Sequence, residues 1–279
     1  MAFACSNNIQ LNPDDVGLVL HRGSIGMHVG FFFQAREEKY VFLHLAFHKN
    51  VKFDPFPPAD CSIAGKLPLS KVSALSLKSA LRLIGARAQQ IPSRINIPYG
   101  VNIDKAKGSF NSKGIYSIPK GSDGLTCSTF VTEVCQGVGL DILNESDWKA
   151  RPSDANWINQ ICAMLSDPRS GADLAHTNHV RSSFNGIRIR PEEVASSVNL
   201  WKQKPIDFAP AEAEGLLLVQ AVKQCCDLAA TTDEPSAATD TVAPTNATAD
   251  QTDTGDNAAA NPAGQVSSTS SQANTAERH

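Results

Sequence analysis

The sequence predicts an α+β fold in which an antiparallel sheet packs on a cysteine-bearing helix, with extra helices toward the carboxyl end. Three observations carry this. Residues 15–47 hold three short runs rich in Val and Phe, DVGLVLH, MHVGFFFQ and YVFLHLAF, parted by the turn-like RGSIG and AREEK. In TCSTFVTEVCQGVG, a polar glycine-containing loop gives way to Phe130, Val131, Val134 and Val138 on one side of a helix. Three further helix-like segments follow before the composition changes near residue 230.

Taken in order, the first fifty residues read as three strands in a meander. PFPPAD then interrupts regular structure. LSKVSALSLKSALRLIGARAQQ follows as an amphipathic helix, with Val72, Leu75, Leu77, Leu81 and Ile84 at roughly helical spacing and a stop before Pro92. The stretch from Tyr99 to Gly124 is rich in Gly and Lys. Gly108, Gly114, Gly121 and Gly124 lack the GxxxxGK order of a phosphate loop and read as a wall or lid beside a cleft. Gly137 and Gly139 fall where the cysteine helix should end. NWINQICAML, PEEVASSVNLWKQ and AEAEGLLLVQAVKQCCDLAA are the later helices, and they either wall the cleft or dock a protein partner or inhibitor there.

Residues 1–229 therefore form the folded domain. Residues 230–279 lack aromatic residues, Leu and Ile, and are expected to be a disordered low-complexity acidic tail. The 279-residue chain has a formal charge of −3, but the tail holds seven acids and one base, leaving the folded part at +3. No basic run advertises a nucleic-acid partner, and no apolar run reaches the roughly 20 residues of a membrane span. MAFACSNNIQLNPDD lacks the pattern of a secretory signal, so the expected location is the cytoplasm, with export only by a non-classical route. Seven cysteines, an odd number without a CxxC pair, read as mostly reduced thiols rather than a disulfide scaffold. His176, His179, Cys225 and Cys226 lack zinc spacing, so neither a metal nor a cofactor is expected.

Cys127 stands where a loop becomes a helix. The unpaired first-turn N–H groups and the helix dipole favour a thiolate there, and the same N–H groups can hold an oxyanion. A nucleophile needs a base and the base an orienting partner. His28 and His44 lie on consecutive strands, and an antiparallel pairing through AREEK sets them side by side. His48 competes with His44 for the third position, being on the same strand face, but FHKN already reads as the strand's exit. Cys135, two turns beyond Cys127, reads as core.

These residues carry a resemblance. DGLTCSTFV resembles the cysteine motif of NlpC-type cell-wall peptidases, an Asp-Cys-Ser-Gly-Phe-Val string that opens the active-site helix. Cys127, Ser128, Phe130 and Val131 match it, while Thr126 replaces the acid and Thr129 the glycine. IPYG resembles that family's tyrosine-and-glycine segment, which makes Tyr99 the tyrosine facing the cysteine. HVGFFF and VFLHLA are similar to the strand that carries the base and the strand that carries the third polar residue. Because His28 and His44 precede Cys127, the order resembles the circularly permuted papain-like branch, to which the lecithin retinol acyltransferase group is related in arrangement. The likeness covers roughly residues 12–143.

The resemblance implies a cysteine-dependent hydrolase of an amide bond, peptide or isopeptide. Cys127 is its nucleophile, His28 its base and His44 the orienting residue, with Tyr99 and Ser128 at the oxyanion and substrate-binding positions. Peptidoglycan-like peptides are the implied substrate, and a secreted antibacterial effector would reconcile them with the missing signal. The FLHLA string leaves lipid acyl transfer or thioester cleavage as an alternative. The departures at Thr126 and Thr129 leave a non-catalytic binding module as another.

Overall fold

The alternation of apolar side chains around His28 and His44 can be satisfied only by a sheet with two covered faces, and the chain builds one. The structure, a computed structural model, describes residues 2–23, 25–36, 39–59, 61–90, 96–103, 110–111, 114–118 and 120–232. Phe3–Cys5 (β1), Val16–Gly23 (β2), Gly26–Arg36 (β3), Lys39–Phe47 (β4), Asn50–Pro55 (β5) and Ser62–Lys66 (β6) form a six-stranded sheet, order β1-β6-β2-β3-β4-β5. Every pairing is antiparallel.

The three expected strands are the centre of this sheet. β1, β5 and β6 come in addition, because NVKFDP and SIAGK are too short and too broken by Pro and Gly to stand out before their partners are known. β5 follows β4 through a tight reversal in which Lys49 takes a left-handed φ of 56°. The interruption expected from PFPPAD comes after it, at residues 56–59.

One sheet face carries Leu18, Leu20, Val29, Phe31, Phe33, Leu43 and Leu45 into the main core. The other carries Val19, Phe32, Phe42 and Ala64 into a smaller cluster with Leu11 and Phe56. Over the first face lie Lys71–Gln90 (α1) and Cys127–Gln136 (α2). In α1 the buried apolar side chains are Ala74, Leu77, Leu81 and Ile84. Val72 and Leu75, expected on that face, are 74% and 49% exposed. At 3.6 residues per turn they fall outside the arc that Leu77, Leu81 and Ile84 define. α2 is buried on all sides from Cys127 to Cys135, so it is a central helix.

The later chain forms Asp154–Leu165 (α3), Leu174–Ser183 (α4), Pro191–Ala195 (α5) and Phe208–Thr232 (α6). α4 was not anticipated from LAHTNHVRSS, whose apolar content is low; Asp173 caps it by accepting from His176 N–H at 2.7 Å. PEEVASSVNLWKQ, expected as one helix, breaks into α5 and two single 3₁₀ turns, Ser196–Val198 and Trp201–Gln203. α6 continues to Thr232, past the point where composition changes. Pro92, Gly108 and residues 233–279 lie outside the described residues. Among the described residues no helix is long and apolar enough to cross a membrane.

Cys5 and Cys225 are paired as a disulfide across 220 residues, tying α6 to β1. This is one departure from the reduced thiols expected, and no spacing in the chain foretells it. Cys61, Cys127, Cys135, Cys162 and Cys226 are free.

A close approach between β3 and β4 fixes the position of the histidines. A Cβ on Gly30 would lie 2.6 Å from His44 Cβ, 2.7 Å from Leu43 O and 2.7 Å from the Phe42 ring, so only glycine lets β4 come this near. Gly30→Ala should therefore destabilise the fold by about 1–3 kcal/mol, read as a lower midpoint in urea unfolding. An unchanged midpoint would refute that packing.

Candidate active site

β3 and β4 pair from Arg36↔Lys39 down to Phe31↔Leu43, and no pairing continues below. At that end, beside Gly30, His28 Nε2 stands 2.6 Å from His44 Nδ1. His44 Nε2 stands 3.1 Å from Asp54 Oδ2 on β5. Phe42 stacks on the His44 ring, with centroids 4.2 Å apart and an interplanar angle of 13°. His21, opposite His28 in the β2–β3 register, meets the His28 ring edge-on at 5.1 Å.

The chain of contacts determines the tautomers. An ionised Asp54 only accepts, so His44 carries its proton on Nε2 and leaves Nδ1 bare. His28 must then donate from Nε2, which leaves its Nδ1 as a lone pair. Burial, followed by the field of Lys52, lowers the His28 pKa to about 4. Burial and then the neighbouring His28 lower that of His44, and Asp54 only partly opposes them. Near neutral pH both rings are therefore uncharged.

Cys127 is the first residue of α2. Thr126 caps the helix by accepting from Thr129 N–H at 3.1 Å, and Thr129 Oγ1 accepts from Thr126 N–H at 2.8 Å. The two threonines that depart from the NlpC-type motif are thus a capping box, holding the cysteine's turn by local hydrogen bonds. Tyr99 enters alongside through a parallel bridge to Leu125, with Leu125 N–H on Pro98 O at 3.0 Å and Gly100 N–H on Leu125 O at 3.2 Å. Gly124, at φ 120°, makes this approach feasible, because a Cβ there would lie 2.0 Å from Pro98 O.

The backbone N–H of Val29, the residue after His28, and the hydroxyl and N–H of Ser128 lie close enough to Cys127 Sγ to favour its thiolate. The buried Ser128 hydroxyl has no hydrogen-bond partner among the described residues. Burial raises the Cys127 pKa, and the Val29 N–H, Arg188 and Ser128 do not fully offset it. The expectation of a thiolate favoured by the helix terminus is corrected here: desolvation at a 7% exposed site outweighs the first-turn N–H groups. Cys127 makes no hydrogen bond to His28 or His44.

All five expected site residues, Cys127, His28, His44, Tyr99 and Ser128, nonetheless line one pocket of ≈ 160 Å³. Trp157 and Met164 of α3, with Arg188, Ile189 and Pro191, complete it, so the later chain forms a wall of the cleft. His48 belongs elsewhere. Its Nδ1 accepts from Tyr99 N–H at 3.2 Å, and His176 Nε2 meets Tyr99 O at 2.9 Å, so the two bracket the tyrosine's backbone. Cys135 is core, as expected.

Sequence reasoning missed His21, Asp54 and Arg188. Asp54 had a signal: in NVKFDP, Lys52 and Asp54 alternate with Val51 and Phe53, the pattern of a strand beside His44. Among the described residues no group of three His, Cys, Asp or Glu could hold a metal. A roomier cavity of ≈ 1080 Å³ lies beside β4, β5 and the end of α1, bordered by Asp54, Tyr40, Phe56 and Arg82. No cysteine or histidine lines it, and Asp54 is the residue it shares with this constellation.

The chain matches no protein-family model, no curated protein and no solved structure.

With its pKa raised, Cys127 should alkylate with iodoacetamide at a rate that climbs from pH 8 to 10, its midpoint above the ordinary thiol value. Peptide mass spectrometry at each pH follows this residue alone. A midpoint below 7 followed by a plateau would instead reveal a preformed thiolate–imidazolium pair.

Proposed function

We propose that this chain is a cysteine-dependent hydrolase of an amide bond, peptide or isopeptide, built on a permuted papain-like arrangement. The observation that carries this reading is the Asp54–His44–His28 series, whose last member, His28, lines the same pocket as Cys127, the first residue of α2. A structural histidine pair does not need an ordered carboxylate behind it and a thiol in front.

The chemistry runs as follows. Cys127 Sγ turns toward His28, or one water bridges them, and the thiol proton passes to His28 Nδ1. The sulfur attacks the carbonyl carbon. The oxyanion takes the Cys127 backbone N–H, with the Tyr99 hydroxyl as second donor. Burial raises the Tyr99 pKa, so that hydroxyl keeps its proton throughout. The C–N bond then breaks, the leaving amine takes the proton from His28, and the acyl group stays on sulfur until water, activated by the same imidazole, releases it.

Peptidoglycan stem peptides are the first substrates to try, and an exported antibacterial effector is the matching biological role. Beside the FLHLA string, the wall of Trp157, Met164 and Ile189 supports the alternative of an acyl ester or thioester substrate. Mass spectrometry after incubation with peptidoglycan fragments and with a fatty acyl thioester separates the two. New peptide ends support the amidase. Released fatty acid with intact peptides supports the alternative, and no product from either leaves a binding module.

Cys127→Ala should abolish turnover, and His28→Asn should lower kcat by about 10²–10⁴-fold. Asp54→Asn should be milder than Asp54→Leu, since the amide oxygen still accepts from His44 Nε2–H and preserves the tautomers. Equal losses for the two would contradict the orienting role.

The pH profile follows from the lowered His28 pKa. The base is inactive when protonated, so activity is lost as pH falls through about 4 and is retained between 5 and 8. An acid limb of kcat/KM near the ordinary histidine value of about 6.5 would overturn this.

A further inference from the structure

Arg188 is a cation in the pocket that the chemistry above leaves without a task. It lies between α4 and α5, in the same wall as Cys127, Tyr99 and Trp157. Its guanidinium carbon sits 4.0 Å from the centroid of the Trp157 ring, and its side chain is 14% exposed. Asp154 Oδ1 is 3.6 Å from Arg188 Nη1, beyond hydrogen-bond range. That oxygen already accepts from Arg190 Nε at 3.2 Å and Nη2 at 2.9 Å, and Oδ2 accepts from Arg151 Nε at 3.1 Å.

The guanidinium therefore donates no hydrogen bond among the described residues, although it presents five N–H groups in a plane. Its segment is held firmly: Arg151 Nη2 donates to Arg188 O at 2.7 Å, and Arg190 N–H donates to Glu193 at 2.7 Å. Burial raises the pKa of both Cys127 and Tyr99, and the positive charge of Arg188 opposes that rise in each, so it is felt at the reacting atoms. A fixed, stacked guanidinium with open donors, beside a nucleophile, matches the fork geometry of a carboxylate.

We propose that Arg188 is a carboxylate subsite: the amide that Cys127 attacks carries a carboxylate next to the scissile carbonyl, from a chain terminus or an acidic side chain, and Arg188 receives it. This rests on the hydrolase reading and narrows its substrate class to acidic peptides.

The test alkylates Cys127 with iodoacetate and with iodoacetamide at pH 8, which differ in carrying a carboxylate or a neutral amide beside the reactive carbon. The rate ratio of the two at Cys127 should exceed that at Cys61 and Cys226 and fall about tenfold in Arg188→Gln, with Arg188→Lys between. If both reagents react at Cys127 but Arg188→Gln leaves the ratio unchanged, the subsite is wrong and the nucleophile stands. If neither reacts, nucleophile and subsite fall together.

Protection of the unaltered protein gives a second answer that does not depend on the variant folding. N-acetylglycine or N-acetyl-aspartate α-amide should slow iodoacetamide labelling of Cys127, the first pointing to a chain terminus and the second to an acidic side chain. Equal protection by the neutral N-acetylglycinamide would overturn the proposal.

Discussion

Two imidazoles 2.6 Å apart cannot both donate and cannot both be charged, and the site depends on how that is resolved. Asp54 resolves it from one end: by accepting, it fixes His44, which fixes His28 and leaves its Nδ1 without a proton. Gly30 provides the space and β5 the carboxylate. Without the six-stranded sheet there would be two strand histidines and no direction to the proton path.

The cysteine is positioned by separate means. A threonine capping box, a parallel bridge from Tyr99 to Leu125 and the open end of the β3–β4 pairing bring its sulfur into the pocket of His28. The histidines have the strand parity of Phe32 and Phe42, whereas α2 packs on the face of Phe31 and Phe33. Nucleophile and base therefore converge at the sheet's end from opposite faces, which accounts for their sharing a pocket without a direct hydrogen bond.

What the sequence made legible follows from range. The central strands, α1 and α2 announce themselves through local periodicity, and Cys127, His28, His44, Tyr99 and Ser128 through their place on those elements. Asp54 and Arg188 gain meaning only from partners that arrive from elsewhere in the chain: β5 against β4, and the 185–191 segment against α2 and α3. The Cys5–Cys225 bond is of the same kind. Charge balance was the other blind spot, since the rank of burial over dipole at Cys127 is a three-dimensional quantity.

The exposure of Asp54 has a consequence of its own. Its side chain is 46% exposed while that of His44 is 8%, so the series of hydrogen bonds crosses a dielectric gradient, wet at the acid and dry at the base. Water screens the carboxylate's charge before it reaches the imidazoles, which fits their staying neutral. What passes inward undiminished is geometry, so the series works as a compass for a proton rather than as a store of charge.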